Sequence, residues 1–304
     1  MRAFAGEVFE RLLLPVVVAG LAWPAGLALL RRVARTAYAQ RDAAAAAQVA
    51  RRFGVLGDER DFRERFALYR LIDYADLPLA HARRLGWFGR WTNRSGPEWP
   101  REGAYLAVTF HFGAGMWTMR ELGRHAVGVK WIHAPVVGTK TALERFVGAV
   151  GRARIASVAK FAGAPTIPTG GARRLAAEWL ARGGAVTALH DAPHFGHRET
   201  IAVPFLGQSL HLPTGLGHLA ATAQVPVYFY TTSLELDGAR RRLRVVGPFR
   251  FDSAADFTLA AGRFLDEEVR ADPAAWHLWN ALDRGFPPPV PTESRQAAAA
   301  AVEG

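Results

Sequence analysis

The stretch AYLAVTFHFGAG, residues 104–115, decides the fold class. Its first seven residues are an apolar run with the length and composition of a buried β-strand, and a histidine and two glycines follow at once. Further apolar runs of this kind alternate with amphipathic helical stretches as far as residue 271. Strand and helix in alternation predict an α/β domain whose mostly parallel central sheet is flanked by helices.

The predicted strands share short apolar runs rich in β-branched or aromatic residues; they are Tyr105–Phe110, Val129–Ala134, Arg154–Ser157, Ala185–His190, Thr200–Val203, Val225–Thr231 and Arg242–Val246. The predicted helices share an apolar face at helical spacing; they are Met116–Arg124, Thr141–Val150, Gly171–Arg182, Thr214–Ala223 and Ala254–Ala271. Residues 41–85, which precede the sheet, have only helical patterns.

Composition excludes several classes of protein. The 304 residues are 50% hydrophobic and 21% charged, which is incompatible with wholesale disorder. With no cysteine, the chain has no disulfides, no cysteine-bound zinc or iron–sulfur cluster and no cysteine nucleophile. The net charge of +11 favours an acidic partner or an anionic surface.

The N-terminal segment, residues 1–40, contains 19 consecutive uncharged residues, Leu12–Leu30. This run is long enough to cross a bilayer, but its prolines and glycines weaken a continuous helix, so a shallow or kinked anchor is an alternative to a span. A buried helix of the folded domain is a third possibility. Arginines after the run would place the body on the cytoplasmic side and argue against a cleaved signal peptide. We therefore expect an N-terminal membrane-anchoring annex, a domain at 41–285 and a poorly ordered tail at 286–304.

Polar residues follow three of the predicted strands, where ligands of open α/β sheets bind. His111 follows the first strand and could act as a base near neutral pH. The nearby Gly113 and Gly115 would allow close approach of a substrate, or leave backbone N–H groups free for an oxyanion. Asp191 follows a second strand, and could orient a base, bind a polar group or cap its own turn.

The third place is the turn into the helix that begins at Thr214 and Gly215, where a helix N-terminus could bind an anion or be an ordinary cap. The histidines around Asp191 could suggest a metal, but their spacing matches no metal-binding motif, and we expect neither a metal nor another cofactor. Phosphate-binding glycine loops and the serine-hydrolase elbow are also missing from the sequence.

Taken in order, four segments resemble the bacterial lipid A late acyltransferases, the lauroyl and myristoyl enzymes of the lysophospholipid acyltransferase superfamily. They are HFG at 111–113, RLAAEWLARGGAVTALHD at 174–191, IAVPFLGQSLHLPTGLGHLAATAQVPVYFY at 201–230 and DPAAWHLW at 272–279. The likeness covers about residues 10–284 and implies a glycerolipid acyltransferase-like fold. It also implies transfer of an acyl group from a thioester to a hydroxyl.

In that family a histidine removes the hydroxyl proton, and a carboxylate after four intervening residues orients the imidazole. His111 matches the histidine, but the acid position falls on Met116. We expect Asp191 to replace the missing carboxylate, with Glu121 as the alternative. Otherwise the chain has reduced activity or is a silent protein that binds acyl lipids or acyl carriers.

The resemblance further implies a substrate cleft lined by residues near these motifs: Phe112, Gly113, Gly115, Arg198, Gly207, Thr214 and Gly215. Arg198 would contact an acidic acceptor group or be a solvated surface residue. The implied partners are acyl carrier protein or acyl-CoA as donor, a lipid or glycolipid acceptor, and the cytoplasmic face of the bacterial inner membrane. A hydrolase that releases the acyl group to water is a further alternative. Because the arginines are scattered and no nucleic-acid-binding motif occurs, we expect no nucleic-acid partner.

Overall fold

The computed structural model describes residues 2–136, 140–193, 199–235, 239–282 and 286. The helices are α1 (Arg2–Val8), α2 (Leu14–Gly20), α3 (Trp23–Ala34), α4 (Ala43–Arg52), α5 (Glu59–Ala82), α6 (Leu85–Arg90), α7 (Thr118–Leu122), α8 (Ala142–Ala162), α9 (Ala172–Ala181), α10 (Gly215–Ala223) and α11 (Ala254–Ala271). The strands are β1 (Thr92–Ser95), β2 (Tyr105–Thr109), β3 (Val129–His133), β4 (Ile167–Pro168), β5 (Ala185–Leu189), β6 (Thr200–Phe205), β7 (Gln208–Pro213), β8 (Val227–Glu235) and β9 (Arg240–Phe249). A π-helical turn, Phe9–Leu13, joins α1 to α2, and short 3₁₀ turns at Pro273–Ala275 and Trp279–Ala281 follow α11.

The central sheet has seven strands in the order β1-β9-β8-β2-β5-β3-β4. Neighbouring strands are parallel except β8 and β9, which are antiparallel. Strands β6 and β7 form a separate antiparallel hairpin that packs on α11. The predicted α/β class, with its mostly parallel sheet flanked by helices, is therefore confirmed.

Strand β2 is buried on both faces, as its apolar sequence requires. Leu106 and Val108 belong to a cluster that includes residues of α9, α10 and α11. Tyr105 and Ala107 belong to a second cluster with residues of α7 and α8. Alternate side chains of one strand thus join the two layers of helices to the sheet.

One predicted strand is wrong. Residues Arg154–Ser157 lie inside α8, which continues to Ala162. This helix begins with a capping box, in which the Thr141 hydroxyl accepts the Glu144 N–H and the Glu144 carboxylate accepts the Thr141 N–H. The cap and the helical turns that follow outweigh the β-type composition of the short run.

The uncharged run Leu12–Leu30 does not form one helix. It is divided between the π-helical turn, α2 and α3, with a break at Leu21 and Ala22, where the backbone becomes extended. In the part of the chain that the structure describes, no helix is long and apolar enough to cross a membrane. The predicted membrane-anchoring annex is thus unsupported as a span, since α2 and α3 pack against α5 and contribute Val18, Leu27 and Leu30 to the main core.

Buried polar contacts attach the N-terminal segment to the rest of the domain. Glu10 has no exposed surface and accepts hydrogen bonds from Arg41 at 3.1 Å and Arg70 at 3.3 Å. The Trp23 Nε1–H donates to the Ala239 carbonyl at 2.6 Å, and the Arg241 guanidinium lies 5.0 Å from the Trp23 ring. The described part of the N-terminal segment therefore shares the core of the body.

At the other end of the chain, Phe286 is buried, and its ring centroid lies 6.4 Å from that of Trp276. The predicted tail begins at this residue, and its remaining part, 287–304, lies outside the described residues.

Candidate active site

His111 and Asp191 lie side by side because β2 and β5 are parallel neighbours in the sheet. Thr109 pairs with Leu189 at the carboxyl ends of the two strands. Each polar residue follows its strand end by two positions, so the register that aligns the strands also aligns the two side chains. The structure thus brings His111 and Asp191 together, and their catalytic partnership stays a prediction.

The carboxylate of Asp191 holds both the backbone and the ring of His111. Its Oδ1 and Oδ2 accept the His111 backbone N–H at 2.9 and 3.0 Å, and Oδ1 lies 2.9 Å from Nδ1 of the ring. Because a carboxylate oxygen accepts, this contact assigns the ring proton to Nδ1 and leaves the Nε2 lone pair available. The His111 side chain is 33% exposed, whereas Asp191 is fully buried. The arrangement is that of a general base whose tautomer is fixed by a buried carboxylate.

The two groups shift each other's pKa. Burial lowers the pKa of His111, but the charge of Asp191 and its hydrogen bond oppose burial and raise that pKa above its usual value. Burial raises the pKa of Asp191, but the charge of His111 and hydrogen bonds from His111 and Trp276 bring that pKa below its usual value. Asp191 is therefore ionised at neutral pH, and His111 is a stronger base than an isolated imidazole.

A segment near the C-terminus fixes the loop that carries His111. Trp276 donates its Nε1–H to Asp191 Oδ2 at 2.9 Å. The Gly113 N–H donates to the Ala275 carbonyl at 2.7 Å, and the His277 N–H donates to the His111 carbonyl at 2.8 Å. His277 Nε2 also donates to the Gly113 carbonyl at 2.6 Å. Trp276 and His277 are thus positioning residues whose roles the sequence did not predict, although the DPAAWHLW motif contains both.

Glycine at position 113 allows the loop backbone to pack closely against the backbone of Thr232. Its φ is +64°, and a Cβ atom at this position would lie 1.6 Å from the Thr232 carbonyl oxygen of β8. Its N–H is used by Ala275, and the Ala114 N–H is used by the Thr232 carbonyl at 3.2 Å. The expectation that Gly113 offers a free N–H to an oxyanion is therefore wrong, because this N–H donates to the Ala275 carbonyl.

Phe112 and Gly115 are two more of the predicted cleft residues. The Phe112 side chain is 4% exposed and belongs to the main core, and its backbone bridges to Trp276. A Cβ atom at Gly115 would lie 3.5 Å from the Thr232 hydroxyl, and the Gly115 carbonyl accepts the Thr118 N–H. Both residues support the packing of the loop. That they line a substrate cleft stays a prediction, which these contacts do not test.

Glu121, the alternative carboxylate, lies on α7 and pairs with Arg94 at 3.1 Å. Among the described residues it makes no hydrogen bond with His111, so the alternative is not supported. Met116, at the position of the family acid, is 5% exposed and belongs to the second core cluster with Trp117. The Met116 side chain therefore packs within the helical layer.

The remaining predicted cleft residues that the structure describes have structural roles. Gly207, with a φ of +80°, forms the tight turn of the β6–β7 hairpin together with Leu206. Thr214 is the N-cap residue of α10, which begins at Gly215, and its hydroxyl donates to the Glu199 carbonyl at 3.4 Å. These contacts do not test whether Gly207, Thr214 and Gly215 shape the acceptor side of the cleft, which stays a prediction. Arg198 lies outside the described residues.

His190 is a buried histidine next to Asp191. Its ring is 1% exposed and lies 5.1 Å from the ring of Phe257, and neither ring nitrogen has a hydrogen-bond partner among the described residues. Burial lowers the pKa of His190 to about 4, so the ring is neutral. In the described part of the chain, no group of three histidine, aspartate or glutamate side chains could hold a metal ion.

No protein-family model and no curated protein sequence matches this chain.

Proposed function

We propose that this protein is an O-acyltransferase that moves a fatty acyl group from a thioester to a hydroxyl of a lipid or glycolipid. The observation that carries the proposal is the His111–Asp191 pair, with Nδ1–H donated to a buried carboxylate and the imidazole open to solvent. The resemblance of the motifs supports the reaction class. The missing family acid, which suggested a silent binding protein, is replaced by a carboxylate from the neighbouring strand.

In the proposed reaction, Nε2 of His111 takes the proton of the acceptor hydroxyl as its oxygen attacks the thioester carbonyl carbon. The tetrahedral intermediate then collapses, the carbon–sulfur bond breaks, and the leaving thiolate takes the proton from the imidazolium. Asp191 stays ionised and stabilises the imidazolium during both steps. The net charge of +11 favours an acidic acyl carrier protein or acyl-CoA as donor.

A membrane surface is the second part of the proposal. Five large apolar side chains on the π-helical turn and α2 are 40–57% exposed; they are Phe9, Leu12, Leu13, Val16 and Val17. Their spacing places them along one face of the segment, opposite the buried Glu10, Leu14 and Val18. We call these five residues the apolar stripe.

A contiguous stripe of this kind is unusual on a free surface and suits the interfacial region of a bilayer. With the net positive charge, it would hold the protein on an anionic membrane and give the site access to lipid acceptors. We assign the cytoplasmic face of a bacterial inner membrane within this proposal.

Purified protein should transfer a labelled acyl group from acyl carrier protein or acyl-CoA to a lysophospholipid or glycolipid. We expect His111→Ala to abolish transfer, and His218→Ala, a partly exposed histidine on α10, to leave it unchanged. An unaltered rate in His111→Ala would contradict the assignment of the base. A reaction without acceptor separates the alternatives, because a hydrolase releases free fatty acid and a silent binder gives neither product.

For the membrane part, we expect the protein to float with vesicles of phosphatidylglycerol and phosphatidylethanolamine. Leu13→Glu combined with Val17→Glu should lower the bound fraction at least tenfold. Val127→Glu is the matched control, because Val127 is 42% exposed and lies outside the stripe. Equal loss in both variants, or no loss in either, would mean that the stripe does not bind the membrane.

A further inference from the structure

An ion pair between α5 and α8 lies close to the proposed base. Asp73 accepts two hydrogen bonds from Arg154, from Nη1 to Oδ2 at 2.7 Å and from Nη2 to Oδ1 at 2.5 Å. The side chains are 24% and 29% exposed, respectively. The pair is therefore accessible to a ligand.

The charges of this pair act on the base. Asp73 raises the pKa of His111 and Arg154 lowers it, which places both groups within electrostatic range of the imidazole. Both also act on His277, which packs on α5 with its ring centroid 6.5 Å from that of Phe66, two helical turns before Asp73. Because the His277 N–H donates to the His111 carbonyl and the His277 ring packs on α5, His277 connects the proposed base to the helix that carries Asp73.

Arg154 keeps one edge of its guanidinium free. Asp73 occupies the end of the group, where Nη1 and Nη2 each donate one proton, and Nη1 also donates to the Asp73 carbonyl at 3.4 Å. Among the described residues, Nε–H and the second Nη2–H have no acceptor. These two donors are parallel, and they match the spacing of two oxygens of a phosphate or carboxylate.

The bidentate pair joins α5 to α8 and so has a structural role. Its two hydrogen bonds also fix the guanidinium before any ligand arrives, which reduces the entropy lost on binding. Asp73 also cancels the net charge, so recognition would depend on the paired geometry of the ligand oxygens.

We propose that the Nε–H and Nη2–H edge of Arg154 binds an anionic oxygen group, a phosphate or a carboxylate, carried by a substrate whose reacting atoms lie at His111. This inference rests on the proposed acyl transfer and adds the class of substrate. The anionic group comes either from the donor, as in coenzyme A, or from a phosphorylated acceptor.

Binding can be tested without turnover. We expect octyl phosphate, measured by isothermal titration calorimetry with octanol as the uncharged reference, to bind at least tenfold more weakly to Arg154→Gln than to the original chain. Arg152→Gln is the control, because Arg152 is exposed on the same helix. Equal binding of octyl phosphate to both variants would overturn the proposal. If Arg154→Gln does not fold, Arg154→Lys keeps the charge but lacks the paired donors, and unweakened binding to it would also overturn the proposal.

Kinetics identify the source of the anion. The kcat/KM penalty of Arg154→Gln should be at least tenfold larger for acyl-CoA than for acyl-pantetheine if the donor phosphate binds. It should be larger for lysophosphatidate than for monoacylglycerol if the acceptor phosphate binds. Equal penalties for all four substrates would refute a specific anion subsite. A chain that transfers no acyl group but binds octyl phosphate through Arg154 would refute the proposed function alone.

Discussion

Replacing Asp191 with asparagine tests the geometry of the site most directly. The carboxylate accepts the His111 backbone N–H, the ring Nδ1–H and the Trp276 Nε1–H. An amide of the same size keeps only one oxygen acceptor. If that oxygen stays on Nδ1, the NH₂ group faces the donor of Trp276. If the amide flips, its NH₂ donates to Nδ1, and the ring proton moves to Nε2, where the base must be free.

Either outcome removes the ionised partner of the imidazolium. The equivalent replacement in a Ser-His-Asp triad lowers kcat by about 10⁴, which corresponds to about 5 kcal/mol of barrier. We expect a loss of about 10³ to 10⁴ in kcat for Asp191→Asn, with a smaller effect on KM because Asp191 is buried behind the base.

The pH profile gives a second readout. Since Asp191 raises the pKa of His111, its removal should lower that pKa. The base is active when unprotonated, so the acidic limb of the kcat/KM profile should move to lower pH although the maximum rate falls. The assay is acyl transfer from a labelled thioester between pH 5 and 9, with circular dichroism to confirm folding.

Glu121→Gln is the matched control, because it makes the same chemical change in the carboxylate that pairs with Arg94. We expect its kcat to stay within about twofold of the original chain. Full activity of Asp191→Asn with an unmoved acidic limb would refute the reasoning, as would a collapse of kcat in Glu121→Gln.

Three further predictions follow from buried residues. Met116→Glu places a carboxylate in the packed layer beside Trp117, so it should reduce the free energy of unfolding by about 3 kcal/mol or more in urea titrations. It should not restore activity to Asp191→Ala. Restored activity would show that a carboxylate at position 116 reaches His111. Trp276→Phe removes one hydrogen bond to Asp191, so it should lower kcat about tenfold and reduce the free energy of unfolding by about 2 kcal/mol. An unchanged kcat would show that the indole does not position the carboxylate. His190 has a pKa of about 4 in the folded chain, so the unfolded chain binds more protons below pH 6.5 and stability falls as the pH drops towards 4. Between pH 7 and pH 5 the original chain should lose about 2 kcal/mol more than His190→Leu in urea unfolding, and identical losses would contradict the buried neutral ring.

Sequence patterns predicted the core of the site because strand ends are local features. The apolar runs before His111 and Asp191 are complete strands, and their parallel pairing follows from the α/β alternation. Nothing local revealed that Trp276 binds the same carboxylate, since 85 residues separate it from Asp191. Contacts between distant segments depend on how the last helix returns the chain to the sheet.

The errors have a common physical origin. Gly113 has a residue type that suits both ligand sites and tight turns, and only the surrounding backbone decides between them. The helix predicted over Thr141–Val150 continues to Ala162, through the run Arg154–Ser157 whose β-type composition predicted a strand. The hairpin strand β7 was missed because its sequence, QSLHLP, lacks the apolar continuity of the sheet strands.

The hydrogen bonds between residues 111–113 and 275–277 affect the order in which the site is assembled during synthesis. The ribosome delivers His111 long before Trp276, so a nascent chain could form its early strands while the imidazole loop still lacks its last supports. The loop that carries His111 would then be complete only after residues 275–277 are synthesised, and a chain truncated before Ala275 would carry His111 without these supports.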